Sequence, residues 1–266
     1  MRVPPASVVA TLVLGIANFA VFASAATVPA QSQVLPQSTA IPVRFEHSVD
    51  TKKAKIGDVV TAKTMQVIVL PDGKSIAKGT VLAGHVAAVQ AFSFDQTPYA
   101  HQQPSMLSIH FDRLQARNQS LPVNLSVRAL ASVNDSVDAS YGHSVDNQDS
   151  VGTMTLIGGM TFSPLQKIIS DENGDAIAYN RRNGLFARLI PSGTSTAGGS
   201  VHCEGTDSEQ SIAIFSPDAC GVYGFAGDYL TATGQDGSGT FTLATRGHSI
   251  KLYAGSTALL QVNNAQ

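Results

Sequence analysis

"SIKLYAGSTALLQV", Ser249 to Val262, repeats in looser form a pattern met much earlier in "SIAKGTVLAGHV", Ser75 to Val86: strand, glycine kink, strand. Glycine at Gly79 and Gly255 permits a backbone turn that a β-branched residue resists, and the run after each glycine starts a strand that needs a partner. The run after Gly255 has few local partners once its own hairpin is made. An unpaired apolar edge strand is an aggregation template, and closing a sheet into a barrel removes the edge. The stretches 249–253 and 257–262 are therefore expected to pair with N-terminal strands near residues 41–47 or 80–89.

Working outward from these two stretches, the chain reads as a meander of short antiparallel strands. "IPVRFEH" alternates Ile41, Val43 and Phe45 against Arg44 and Glu46, a half-buried strand. "GDVVTAKTMQVIVL" is rich in β-branched residues, and "PDG", Pro71 to Gly73, is a turn, because proline presets φ and glycine accepts the positive value. "SMLSIHFDRL" and "SLPVNLSVRAL" alternate in the same way around a "QARNQ" loop, with Leu121, Val123, Leu125 and Val127 inward. "SVNDSVDASYGHSVDNQDS", residues 132–150, has no apolar periodicity and reads as a loop. Its spaced aspartates raise calcium, but the glycine and distant glutamate of an EF-hand loop are missing, so a solvated loop is favoured. Beyond it, Asn183-Gly184 marks a hairpin turn with Arg181 and Arg182 at its exposed end. "STAGGS" reads as a flexible link.

Composition narrows the function. Formal charge is −2, and the lysines and arginines are scattered, so no footprint for nucleic acid is present. The first 25 residues have the grammar of a cleaved secretory signal: Arg2, an apolar run from Val8 to Phe22, and Ala23-Ser24-Ala25. An uncleaved anchor is the rival reading and would want about 20 apolar residues. Cleavage near Ala25/Ala26 would leave a periplasmic or secreted chain with no membrane span. In an oxidising compartment Cys203 and Cys220 are expected to form a disulfide, with free thiols and a metal or Cys/His site beside His202 as alternatives.

Catalytic motifs are missing. The nearest approach to a nucleophile elbow, "GTSTA" at Gly193 to Ala197, lies in the Gly/Ser link. "GQDGSG", Gly234 to Gly239, precedes a strand and reads as a turn. His85 and His110 fall inside strands and read as isolated structural or surface groups. No cofactor is expected, and oligomeric state is not legible.

The order of the Ile41 strand, "KAKIGDVVTAKT", "IAKGTVLAGHV", "LSIHFDRLQARNQSLPVNLSV" and finally "IKLYAGSTALLQV" resembles the β-barrel domain of the conjugal-transfer TrbI family, the scaffold of the type IV secretion outer-membrane complex. The resemblance covers residues 41–131 and 239–262 and implies a barrel scaffold. It does not carry the secretion channel, because "MTLIGGMTF" is too short to stand for that family's membrane-crossing helical hairpin.

The expected fold class is mainly β: a closed or partly open β-barrel completed by the C-terminal strands, with an inserted disulfide-pinned β region. Its divisions are a signal (1–25), a flexible arm (26–40), the first part of the barrel (41–131), an insertion (132–238) and the completing strands (239–266). The expected function is a non-enzymatic envelope or extracellular scaffold or interaction protein, with an envelope protein or glycan as partner. A glycan- or peptide-binding module is the alternative, and a secreted hydrolase a more remote one. Partner contact is assigned to Tyr179, Arg181, Arg182, Tyr223 and Tyr229.

Overall fold

The structure, a computed structural model, describes residues 35–95, 101–116, 119–141, 152–196 and 199–263. The signal and cleavage site, most of the arm, and the aspartates Asp146 and Asp149 lie outside the described residues.

One large sheet forms the body. Its strands are β1 (Ala40–Phe45), β2 (Val59–Thr64), β3 (Val81–Gln90), β4 (Ser105–Ala116), β5 (Gln119–Pro122), β6 (Leu125–Ala131), β7 (Gly221–Tyr223), β8 (Asp228–Ala232), β9 (Thr240–Thr245) and β10 (Thr257–Val262). The path runs β7-β6-β10-β1-β2-β3-β4-β9-β8, with β5 paired to β4. Its two ends, β7 and β8, are separated in the chain only by Gly224 to Gly227. The Val127 N–H of β6 donates to the Thr233 carbonyl just past β8 at 2.8 Å. The sheet therefore comes round to within a hydrogen bond of itself, a nearly closed barrel. The C-terminal β10 completes it, antiparallel to both β1 and β6.

The two glycine kinks make the same joint. Gly79 N–H donates to Thr64 O at 2.8 Å while Thr64 N–H donates to Thr80 O at 3.0 Å, which locks β3 onto the end of β2. Gly255 N–H donates to Phe45 O and Phe45 N–H to Ser256 O, both at 2.9 Å, which locks β10 onto the end of β1. Each glycine has positive φ, +80° and +94°, where a side chain would be strained. One joint closes a local hairpin and the other closes the barrel. The short strand Lys251–Leu252 pairs with Val49–Asp50, just beyond the 41–47 stretch expected for it.

Period-2 alternation sends Ile41, Val43, Phe45, Leu82, Leu107, Ile109 and Phe111 into the barrel, where they form one cluster with Val127, Phe241, Leu243 and Leu260. Phe45, Phe111 and Phe241 span it as a chain of rings with centroids 6.2 and 6.3 Å apart. These side chains fill the interior as a core. Leu35 also joins this cluster, and Ser38 N–H donates to Val262 O at 2.9 Å, so the end of the expected flexible arm is docked.

A second cluster lies outside the barrel wall. Ala40, Ala129, Ala131 and Leu259 project from β1, β6 and β10 onto Leu156, Ile157, Ile169, Leu185, Ile212 and Phe215 of the intervening chain. Small alanines let that layer approach closely, and burial on both sides explains why every residue of β6 is buried. The outer layer is a four-stranded antiparallel sheet of Ile168–Ser170, Ala176–Arg181, Gly184–Ala187 and Gln210–Ser211.

Three local expectations are corrected. The barrel takes the chain back at Gly221, within the expected insertion of 132–238. Residues 133–138 form a helical turn, because the Ser132 hydroxyl caps the Asp135 N–H at 3.2 Å. The expected Gly/Ser link is largely a hairpin, Ser192–Thr196 paired with Gly199–Cys203.

Candidate functional site

Arg128 pins the outer layer to the barrel. The register of β6 slips between Val127 and Ala129, and this bulge turns the intervening Arg128 into the protein, where it is wholly buried. Its guanidinium donates to four carbonyls of the outer chain: Ala219 (2.9 Å), Ile190 (2.5 Å), Pro217 (3.2 Å) and Glu204. Burial lowers its pKa to about 10, with Asp218 opposing, so it remains a cation at neutral pH. Beside it Cys203 and Cys220 are joined as a disulfide with Cα atoms 6.0 Å apart. Cys220 immediately precedes β7, so the bond ties the 199–203 strand to the barrel wall.

Gln66 makes a second pin. Its buried amide donates to Leu185 O at 2.8 Å, and its oxygen accepts from the N–H groups of Leu185 and Ala213, each at 3.1 Å. The amide thus substitutes for a strand between the barrel and the outer sheet. A Cβ on Gly184 would collide with it. The hairpin loop is Arg182-Asn183, one residue earlier than the sequence suggests, with Gly184 already paired to Arg181 at φ +128°.

Beside Gln66 opens a cleft of about 780 Å³. Met65, Gln66, Val67, Leu185, Ala213 and Ile214 line it, and so do four cations: Arg44, Lys63, Lys78 and Arg182. Arg44 and Lys63 are direct cross-strand partners on β1 and β2, a like-charge pairing that is unfavourable by itself. Glu46 relieves part of it, 2.5 Å from Lys63 Nζ, and the Lys63 hydrogen bond holds the Glu46 carboxyl below its usual range. Arg44, Lys78 and Arg182 have no ion-pair partner among the described residues. No carboxylate and no aromatic ring is among the described lining residues.

The five residues assigned to partner contact do not converge. Arg182 reaches the cleft, whereas Arg181 lies over the rings of Tyr179 (5.0 Å) and Phe186 (5.5 Å) and pairs with Glu209 at 2.6 Å. Tyr223 turns inward, its hydroxyl accepting from Cys220 N–H and donating to Cys220 O, and burial raises its pKa. Tyr229 is buried at 6% exposure, so it offers no platform to a partner.

The fold makes two groupings that sequence spacing hides. His85 and His110 face each other across β3 and β4, their rings 5.5 Å apart, with Asp112 Oδ2 3.0 Å from His85 Nδ1. His248 Nε2 lies 3.0 Å from Asp228 Oδ1, and its Nδ1 is 3.4 Å from Thr245 Oγ1. Thr245 is 1% exposed, so that string presents no nucleophile to solvent. Among the described residues no three His, Cys, Asp or Glu side chains are placed to hold a metal ion, and no helix is long and apolar enough to cross a membrane.

No known protein family, no curated protein and no solved structure matches this chain.

Proposed function

We propose that this protein is an exported, non-enzymatic interaction module whose working surface is the cleft between the barrel wall and the outer sheet. The observation that carries this reading is the cleft's construction. Gln66, one of its lining residues, ties the barrel wall to the outer sheet there, and three of its cations have no ion-pair partner among the described residues. A rigid surface that holds unpaired charge is preorganised for a complementary ligand, because little ordering cost remains at binding. Export is supported by the disulfide, which persists in oxidising compartments, and by the signal-like first 25 residues. The scaffold role implied by the TrbI-type resemblance is compatible with a filled barrel that carries an added layer.

The test places a photo-crosslinking amino acid at Asn183, on the cleft rim, and in a second variant at exposed Val59, which does not line the cleft. In intact cells of the source organism, irradiation should give a discrete adduct from position 183 and none of the same mass from 59. Identical patterns from both positions, or no adduct from 183, would sink the reading.

A further inference from the structure

We infer that the occupant of the cleft is an extended acidic peptide segment in which carboxylate side chains alternate with apolar ones. This rests on the cleft being the working surface and names what fills it. The charge argument comes first. Arg44, Lys63, Lys78 and Arg182 come from three separate parts of the chain, the β1–β2 pair, the Gly79 joint and the outer hairpin, and meet around one opening with no carboxylate among the described lining residues. Opening two such walls toward each other concentrates positive potential in a space that a neutral ligand would not neutralise. The ligand is therefore an anion.

The floor decides which anion. Met65, Val67, Leu185 and Ile214 offer it aliphatic and thioether surface, so a ligand that carries charge alone would leave that surface without a partner. Single-stranded nucleic acid is held largely by stacking on aromatic rings, and a saccharide likewise packs its C–H faces on such rings; none is among the described lining residues. A membrane surface calls for cations on a convex face, whereas these surround a recess between two layers. An extended peptide presents successive side chains on opposite sides, so an acidic–apolar alternation places apolar groups on the floor while carboxylates point to the rim. A volume of about 780 Å³ lies within the ordinary range for a bound ligand of a few residues.

The test titrates the purified protein with a fluorescent octapeptide of alternating glutamate and valine, with polyglutamate of equal charge, and with the lysine–valine counterpart. Glu–Val peptide should bind at least about tenfold more tightly than polyglutamate, and Lys–Val not at all. Raising ionic strength from about 0.01 M to about 0.15 M shortens the Debye length from about 30 to about 8 Å and should weaken the Glu–Val complex severalfold. Arg182→Glu and Lys78→Glu, both at exposed positions and checked for an unchanged melting temperature, should each weaken it at least about tenfold. Equal binding of polyglutamate would overturn the apolar half of the inference, and indifference to both substitutions would overturn the site. Should binding require Asp146→Asn and Asp149→Asn, the occupant would be the chain's own acidic segment and the inference would fail. In the first two of these failures a discrete crosslink from position 183 would still stand, which separates this inference from the reading beneath it.

Discussion

Arg128→Met tests whether one side chain holds the outer layer on the barrel. Methionine keeps much of the volume but none of the donors. Pro217 O would retain the Ile190 N–H at 3.0 Å, whereas the carbonyls of Ile190, Glu204 and Ala219 would lose the guanidinium that now reaches them. The Ala219 carbonyl is buried and would be left unpaired at a cost of about 1–3 kcal/mol, the Ile190 and Glu204 carbonyls belong to exposed residues and can turn to water, and removal of a buried charge offsets a part. A net loss of about 1–3 kcal/mol is expected, a noticeable share of the ~5–15 kcal/mol that a domain ordinarily has. With a urea dependence of about 2 kcal/mol per molar, the unfolding midpoint should fall by roughly 0.5–1.5 M. Far-ultraviolet circular dichroism is the probe, since the chain has no tryptophan. Hydrogen exchange should quicken first in residues 185–220, before the barrel strands. A midpoint within about 0.3 M of the parent would refute the pinning argument.

Gly79→Ala and Gly255→Ala should cost similar amounts, about 1–2 kcal/mol each, because both sites have positive φ and no atom closer than 3.6 Å to an added Cβ; melting curves that differ severalfold would break the equivalence of the two joints. Truncation at Gly247 removes the strand between β1 and β6, so exchange around residues 59–89 should become fast; protection equal to the full chain's would make the halves independent. Burial raises the Asp228 pKa against the opposing effect of His248, so its folded-state value lies above its unfolded one. The protonated form is then favoured by folding, and its contribution is present below the unfolded pKa and lost as pH rises through the folded value. Asp228→Asn should therefore stabilise the protein at neutral pH and lose that advantage near pH 3, as read from melting temperatures at the two pH values. Destabilisation at neutral pH would mean that the His248 contact outweighs burial.

The barrel was legible because its information is local. Alternation in 41–45 and 105–114 sets the inward face, and the glycine kinks at 79 and 255 mark where a strand must hook onto its partner. The disulfide was legible because two cysteines leave one intramolecular pairing. Arg128 was not. In "SVRAL" it occupies a polar position between apolar ones, which reads as solvent-facing, and only the bulge and the outer layer reverse this. The cleft was hidden for a related reason. Its cations are scattered along the chain, the same observation that argued against a nucleic-acid footprint, and register and layer packing gather them. The tyrosines misled because aromatic residues near strand ends suit a binding platform and a packed corner equally, and Tyr223 and Tyr229 went to the latter.

The central place of β10 has a consequence for how the polypeptide must be delivered. Ser48 and Ala254, 206 positions apart, share a hydrogen bond beside the joint, and neither β1 nor β6 has its second neighbour until β10 arrives. Whether threaded from a ribosome or through a translocase, the leading segment emerges with two sticky margins and nothing to close them. Such long-range wiring makes folding slow and leaves those margins exposed to self-association. It also keeps the nascent polypeptide pliable during transit, since the structure cannot lock before its far end is through.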